Sequence, residues 1–83
     1  MELEILTPSG KLFSGNVYGV QLPGISGSFE ILEKHAPLVS ALGKGNIKVL
    51  NDKSGNNNTS YSIKGGFIEM LNNKCVVLVE AVS

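Results

Sequence analysis

The sequence contains no arginine and no tryptophan, and lysine supplies all seven of its positively charged side chains. Seven acidic residues balance them, so the formal net charge is +0 at pH 7. Proteins that bind phosphates or base edges usually use the planar fork of arginine, and a basic surface steers them to nucleic acid. The missing arginine and the neutral charge therefore argue against nucleic acid as a partner.

Cysteine and histidine each occur once, which leaves little for an active site and excludes an intrachain disulfide. Cys75 precedes the apolar run 76–79, so we expect a small buried hydrophobic residue in a reducing compartment. There is no Ser-His-Asp spacing, no cluster with metal-ligand spacing and no glycine loop that would hold a phosphate before a helix. We therefore predict no catalytic, metal or cofactor site.

Long apolar runs are also missing from the sequence. No segment approaches the ~18–20 consecutive apolar residues that a membrane-spanning helix needs. The first residues, Met1-Glu2-Leu3-Glu4, are acidic where a secretory signal is basic. We expect a protein that is made and kept inside the cell and does not insert directly into a membrane.

Short segments in which polar and apolar residues alternate make up most of the chain, and this period is typical of strands with one buried face. Turn-forming residues separate the segments at intervals of roughly 8–12 residues. The predicted strands are 2–6, 11–13, 17–22, 27–32, 37–42, 46–50, 60–64, 67–71 and 75–80. The pattern predicts an all-β fold, a small flattened β-sandwich or barrel of roughly eight to ten short strands. A chain of 83 residues is expected to form a single domain, residues 1–83.

The segment 22–42 holds the most distinctive residues, because it contains two prolines and the histidine. A helix across it would be interrupted by Pro37, so two strands joined by a turn are preferred. Gly24 and Gly27 fit a corner that needs positive φ, although backbone amides in such a loop can also hold an anion. Pro37 keeps the residue before it extended and makes a rigid corner. His35 is then presented for a contact, or it satisfies a backbone carbonyl within the domain.

Several motifs have the order and spacing of a known family. They are Thr7-Pro8-Ser9-Gly10, Phe13-Ser14-Gly15, Leu22-Pro23-Gly24 through Gly27-Ser28-Phe29, His35-Ala36-Pro37-Leu38, Gly65-Gly66-Phe67 and Val76-Val77-Leu78. Across nearly all 83 residues the sequence resembles the N-terminal β-sandwich domain of the epsilon subunit of F-type ATP synthase. The resemblance implies a non-catalytic central-stalk, or rotor, subunit that couples the catalytic head to the proton-translocating c ring. Such a subunit lies at the cytoplasmic face of the bacterial inner membrane as a peripheral part of the complex.

The resemblance also implies two contact surfaces. The positions that match the contact with the gamma subunit are Thr7, His35 and Ser40. The positions that match the contact with the c ring are Pro23, Gly24, Ile25, Ser26, Gly27 and Ser28. Relatives often have an acidic residue where this chain has Ser28, so we expect a neutral hydrogen bond there. Glycine commonly precedes the histidine, and here Lys34 takes its place.

The resemblance does not extend to the helical hairpin that follows this domain in many bacterial relatives and carries their ATP binding and inhibition of hydrolysis. We therefore assign no nucleotide site. If Ser83 is the natural end, we expect a subunit that couples and assembles without inhibiting by that route.

Two other classes of function are considered. One is a freestanding β-barrel ligand-binding module that holds a sugar or an anion at the loop Gly24–Ser28. The other is a small hydrolase that pairs His35 with Cys75, which requires the two side chains to lie within hydrogen-bond reach.

Overall fold

Strands account for all the regular secondary structure between residues 1 and 82. The structure, a computed structural model, describes residues 1–82, and it describes the side chains of residues 1–80. The strands are β1 Glu2–Thr7, β2 Gly10–Asn16, β3 Gly19–Gly24, β4 Gly27–Leu32, β5 Leu38–Leu42, β6 Gly45–Leu50, β7 Asn58–Leu71 and β8 Lys74–Val82. The predicted all-β class and the predicted number of strands are confirmed.

The strands form one continuous sheet that folds over on itself. Seven of them follow the order β2-β1-β8-β7-β5-β3-β4, and β6 pairs with β3 and β7. The first half of β7 pairs with β6 and its second half pairs with β5 and β8, so β7 belongs to two layers. We call β2-β1-β8-β7-β5 the five-stranded layer and β4-β3-β6-β7 the four-stranded layer. A bridge between Gly24 and Leu42 joins β3 to β5 and closes the flattened barrel.

Alternation along the strands directs one set of side chains between the layers. Leu3 and Ile5 of β1 and Cys75 and Val77 of β8 are fully buried there, and β1 and β8 run parallel. The four-stranded layer contributes Val20, Leu22, Ile31, Ile47, Val49 and Ile63. Full burial of one such aliphatic side chain stabilises the fold by about 1.5–3 kcal/mol. The core therefore joins the two layers into one rigid body.

Short turns set the register of the hairpins. Asn72 and Asn73 connect β7 to β8 with φ values of 51° and 60°, the left-handed conformation that a tight two-residue hairpin needs. The predicted turn at this asparagine pair is confirmed. Lys34, in the predicted turn between β4 and β5, also has a positive φ, 63°.

Three predicted breaks lie inside strands instead. Ser14-Gly15-Asn16 continues β2, because these residues pair with Glu2, Leu3 and Glu4 of β1. Pro23-Gly24 belongs to β3. The pairing of β3 with β6 ends at Gln21, so the amide hydrogen that Pro23 lacks is not needed for a hydrogen bond to β6. Gly65-Gly66 lies within β7, where the register with β8 shifts on both sides of Gly65. That shift is a bulge, and it bends the strand from one layer into the other.

Candidate protein-contact surfaces

The outer face of the five-stranded layer carries a group of exposed apolar side chains. Alternation along β1, β5, β7 and β8 places on it the side chains of Leu6, Val39, Phe67, Leu71, Val76 and Leu78. Val39, Phe67, Leu71 and Leu78 are between 45% and 57% exposed. We call this surface the apolar face.

The outer face of the four-stranded layer has a different character. The exposed or half-buried side chains at its outward positions are mainly polar, and include Gln21, Ser28, Glu30, Asn46, Lys48, Ser60, Ser62 and Lys64. Exposed apolar side chains that are grouped on one side of a protein mark an interaction surface, whereas scattered ones do not. The contrast between the two layers identifies the apolar face as a candidate docking surface.

Two shallow recesses lie on the apolar face. The first has a volume of about 400 Å³ and is lined by Leu6, Thr7, Pro8, Phe67, Leu78 and Glu80, among others. The second has a volume of about 410 Å³ and is lined by Glu69, Leu71, Asn72, Lys74 and Val76. Each recess is large enough to accept an apolar side chain of a partner.

Ion pairs connect charged side chains of β1, β2 and β8 in the five-stranded layer. Lys74 Nζ lies 3.2 Å from Glu4 Oε1 and 3.6 Å from Glu2 Oε2, and Lys11 Nζ lies 3.5 Å from Glu4 Oε2. Hydrogen bonding with Lys74 and its positive charge lower the pKa of Glu4, and the same pair raises the pKa of Lys74. These side chains are solvated, so the pairs add little stability, and their main effect is to neutralise one another.

Thr7 lies at the end of β1, at the border of the first recess. Its Oγ1 donates a hydrogen bond to the Gly10 carbonyl oxygen at 2.9 Å and accepts one from the Ser9 amide at 3.1 Å. Thr7 therefore holds the turn between β1 and β2 at one corner of the apolar face.

His35 lies at the diagonally opposite corner, in the exposed loop between β4 and β5. The Lys34 amide donates a hydrogen bond to Asn73 Oδ1 at 2.8 Å, so this loop is tied to the turn between β7 and β8. His35 Nδ1 lies 2.8 Å from the Ala36 carbonyl oxygen, to which it donates. The ring therefore satisfies a local carbonyl, as one of the two interpretations from the sequence has it. His35 is also exposed, and its contact with a partner stays a prediction.

Ser40 lies in β5 opposite Ile68, whose side chain points into the core. The Ser40 side chain is therefore directed to the inner side of the layer, and its Oγ lies 3.3 Å from the Ala41 carbonyl oxygen. Val39 and Ala41, on either side of it, point outwards. Of the three positions that match the gamma contact, Thr7 and His35 border the apolar face and Ser40 lies at its edge.

The hairpin between β3 and β4 forms a second candidate surface, which we call the hairpin tip, residues 23–28. Ile25 at its turn is 72% exposed, and Ser26, Gly27 and Ser28 are exposed, whereas Pro23 is buried. The Gly43 amide donates a hydrogen bond to the Pro23 carbonyl oxygen at 2.8 Å, which fixes the base of the hairpin against the end of β5.

The glycines of the hairpin tip are explained by the turn itself. Gly27 has a φ of +132°, and a Cβ on Gly24 would lie 2.6 Å from the Gly27 carbonyl oxygen. This geometry requires glycine without any ligand. The two recesses described above lie on the apolar face and not at this loop.

The pairing of His35 with Cys75 has no chemical support. Cys75 is fully buried in the core, and burial raises the pKa of its thiol to about 12. A nucleophilic cysteine needs access and a lowered pKa, and this thiol has neither.

Residues 1–82 offer neither a metal site nor a membrane-spanning helix. No group of three or more His, Cys, Asp and Glu side chains within that range is arranged to hold a metal ion. The same range contains no helix with the length and hydropathy to cross a membrane.

The sequence predicted part of the apolar face. The run 75–80 has apolar residues on both faces, which predicts either a strand buried on both sides or one whose outer face meets another subunit. Leu78 fits the second case, since it is half exposed. Val39, Phe67 and Leu71 were missed, because only the pairing of β5, β7 and β8 shows that they share a face with Leu78.

The structure is thus a closed β-sandwich with one apolar face and an exposed hairpin tip, and grouped exposed apolar side chains of this kind mark candidate protein-contact surfaces. Residues 1–83 match the family described as ATP synthase, Delta/Epsilon chain, beta-sandwich domain, and the chain belongs to that family. The resemblance drawn from the motifs is therefore confirmed.

Curated relatives agree with this membership. The ATP synthase epsilon chain of Chlorobium limicola is 45% identical over 83 residues, which cover 99% of this chain and 91% of that relative. The ATP synthase epsilon chain of Salinibacter ruber is 38% identical over 88 residues, which cover 99% of this chain and 59% of that relative. The chain thus spans nearly the whole of some relatives and little more than half of others.

Solved structures have the same fold. A chain of the Tetrahymena thermophila mitochondrial ATP synthase central stalk and c ring superposes with a TM-score of 0.79 at 20% identity, over 100% of this chain and 65% of that one. A chain of the Euglena gracilis mitochondrial ATP synthase (OSCP, F1 and c ring) gives a TM-score of 0.86 at 18% identity, over 98% of this chain and 51% of that one.

Proposed function

We propose that this protein is an epsilon-type subunit of the ATP synthase central stalk, a non-catalytic rotor subunit that links gamma and the catalytic head to the c ring. Family membership over the whole chain and the names of the relatives support this assignment. The observation that carries it is the presence of two separate exposed surfaces on one core, the apolar face and the hairpin tip with its exposed Ile25.

Gamma docks on the apolar face in this proposal. Thr7 and His35 border that face at opposite corners, and Ser40 lies at its β5 edge. Val39, Phe67, Leu71 and Leu78 supply the apolar area that is buried in the contact. Removing the exposed part of such side chains from water contributes about 25 cal/mol per Å².

The hairpin tip meets the polar loops of the c ring. Its contact residues are Pro23, Gly24, Ile25, Ser26, Gly27 and Ser28, with Ile25 as the most exposed apolar side chain. Ser28 offers a hydroxyl in place of a carboxylate, so the contact contains a neutral hydrogen bond. The subunit reaches the membrane only through the complex, as a peripheral component on the cytoplasmic side of the bacterial inner membrane.

The test is a titration of the isotopically labelled protein with purified gamma, followed by amide and methyl resonances. We expect shifts at Val39, Phe67 and Leu78 together with His35 and Ser40, and unchanged resonances at Lys48 and Ser62 on the four-stranded layer. Failure of gamma to bind, or shifts confined to the four-stranded layer, would overturn the proposal.

A further inference from the structure

We infer that the partner segment on the apolar face carries a basic side chain, arginine or lysine, that pairs with Glu69. This inference rests on the proposed function, because it describes the chemistry of the partner at the face where gamma docks. The observation behind it is a carboxylate that stands among apolar side chains.

Glu69 lies near the middle of the apolar face. It is exposed in β7, with Val39 opposite it in β5 and Val76 opposite it in β8. Phe67 and Leu71 lie two residues before and after it and point to the same side. A partner that covers these four apolar side chains also covers the carboxylate.

Lys74 lines the second recess together with Glu69, but its Nζ pairs with Glu2 and Glu4, and Lys11 also pairs with Glu4. Among the side chains of residues 1–80 no ion pair includes Glu69. Glu80, at the border of the first recess, adds a second negative charge. The uncompensated charge of the apolar face is therefore negative, although the whole chain is neutral.

Covering a carboxylate without a partner of opposite charge is strongly unfavourable, because its hydration is lost and nothing replaces it. A neutral or acidic partner is thus rejected, and a basic one is selected. Arginine suits the position best, since its apolar stem packs on the flanking side chains while its guanidinium takes the carboxylate through two hydrogen bonds. The recess lined by Glu69, Leu71 and Val76 and the recess lined by Phe67 and Leu78 accept apolar side chains on either side of that basic group.

The test compares the affinity of purified gamma for the wild-type protein and for Glu69→Gln and Glu69→Lys, at low and at high NaCl. We expect the Kd to rise about 3-fold to 10-fold for Glu69→Gln and at least about tenfold for Glu69→Lys. The loss should shrink at high salt, because screening weakens the pair in the wild type. Glu30→Lys, with the same charge change on β4 of the four-stranded layer, is the matched control and should change the Kd less than about twofold.

Thermal unfolding of each variant checks that the fold is kept. Equal binding of gamma by the wild type and Glu69→Lys would overturn this inference and leave the proposed function standing. Self-association of the wild-type protein through the apolar face, with an affinity that Glu69→Lys does not change, would also overturn this inference. A wild-type protein that does not bind gamma would overturn the proposed function itself.

Discussion

Lys34 has a backbone conformation that favours glycine. Its φ of 63° is left-handed, and a residue with a Cβ is disfavoured there by roughly 1–2 kcal/mol. The glycine that commonly precedes the histidine in the resembled family does not have this cost. Lys34 adopts the left-handed conformation that such a glycine would favour. Its hydrogen bond to Asn73 and the packing of the strands on either side hold Lys34 in place.

Lys34→Gly should therefore stabilise the protein. Relief of the left-handed strain exceeds the entropy that glycine adds to the unfolded chain, so we expect a gain of about 0.5–1 kcal/mol in the free energy of unfolding. Urea denaturation measures it. Lys44→Gly is the control, because Lys44 is exposed in a turn without a positive φ, and there glycine should lower stability slightly. Equal effects at the two positions would contradict the argument.

Burial of Cys75 makes the free energy of unfolding depend on pH in the alkaline range. Because burial raises the pKa of its thiol from 9.0 to about 12, the unfolded chain loses this proton first as the pH rises. The contribution of the protonated, buried thiol to the free energy of unfolding is fully present below the pKa of the unfolded chain. It is lost as the pH rises from that pKa to the pKa of the folded protein. From about pH 8 to about pH 10 the loss should be about 1.4 kcal/mol, and Cys75→Ala should not show it.

The measurement is the free energy of unfolding of the wild type and Cys75→Ala at each pH. The variant is less stable at neutral pH because it leaves a small cavity, and the difference should shrink as the pH rises. All other titratable side chains are common to both proteins, so their effects cancel in the difference between the two. A difference that stays constant with pH would show that the thiol does not contribute.

At the scale of elements, β7 shows how far local sequence predicts this fold. Gly65-Gly66 predicts a break between two strands. The structure has a shift in the register with β8 there, but the strand continues through it as a bulge. A Cβ on Gly66 would overlap the Leu78 carbonyl oxygen, so glycine is required by the approach of β8 and not by a turn. Local residue preferences cannot distinguish the two cases, because the difference depends on a strand that is distant in sequence.

Gly66→Ala tests that explanation. The added methyl group must displace β8 at the bulge, so we expect a loss of about 1–3 kcal/mol in stability, measured by urea denaturation. Gly15→Ala in β2 is the matched control, because a Cβ there would lie 3.8 Å from the Phe13 ring in ordinary contact. The control should change stability by less than about 0.5 kcal/mol. Similar losses at both glycines would indicate a general effect of side chains in strands.

Hairpins were predicted more accurately than the contacts between distant strands. Turn-forming residues such as Asn72-Asn73 act locally, and so the turn was predicted at the observed residues, although the strand before it begins at Asn58 and not at residue 67. The parallel pairing of β1 with β8 joins opposite ends of the chain and has no local signal. The apolar face depends on that pairing and on the pairing of β5 with β7, so Phe67 and Val39 could be assigned to one surface only from the structure.

For the whole molecule, β5 connects the two contact surfaces. Val39 lies on the apolar face, and the end of the same strand holds the hairpin through the bridge between Leu42 and Gly24 and the Gly43 to Pro23 hydrogen bond. The core packs behind both surfaces, so they keep a fixed relation. The proposed function, transmission of force between two partners, needs this stiffness and also needs contacts that are chemically independent.

Independence of the two contacts can be tested by a pair of matched substitutions. Phe67→Asp places a charge in the apolar face, and Ile25→Asp places the same charge at the hairpin tip, both at exposed positions that leave the core intact. We expect Phe67→Asp to weaken gamma binding at least about tenfold while binding to the detergent-solubilised c ring is kept, because a carboxylate there must be covered without a partner. Ile25→Asp should show the reverse pattern. Thermal unfolding confirms the fold of each variant, and loss of both contacts by either substitution alone would show that the apolar face and the hairpin tip form one interface.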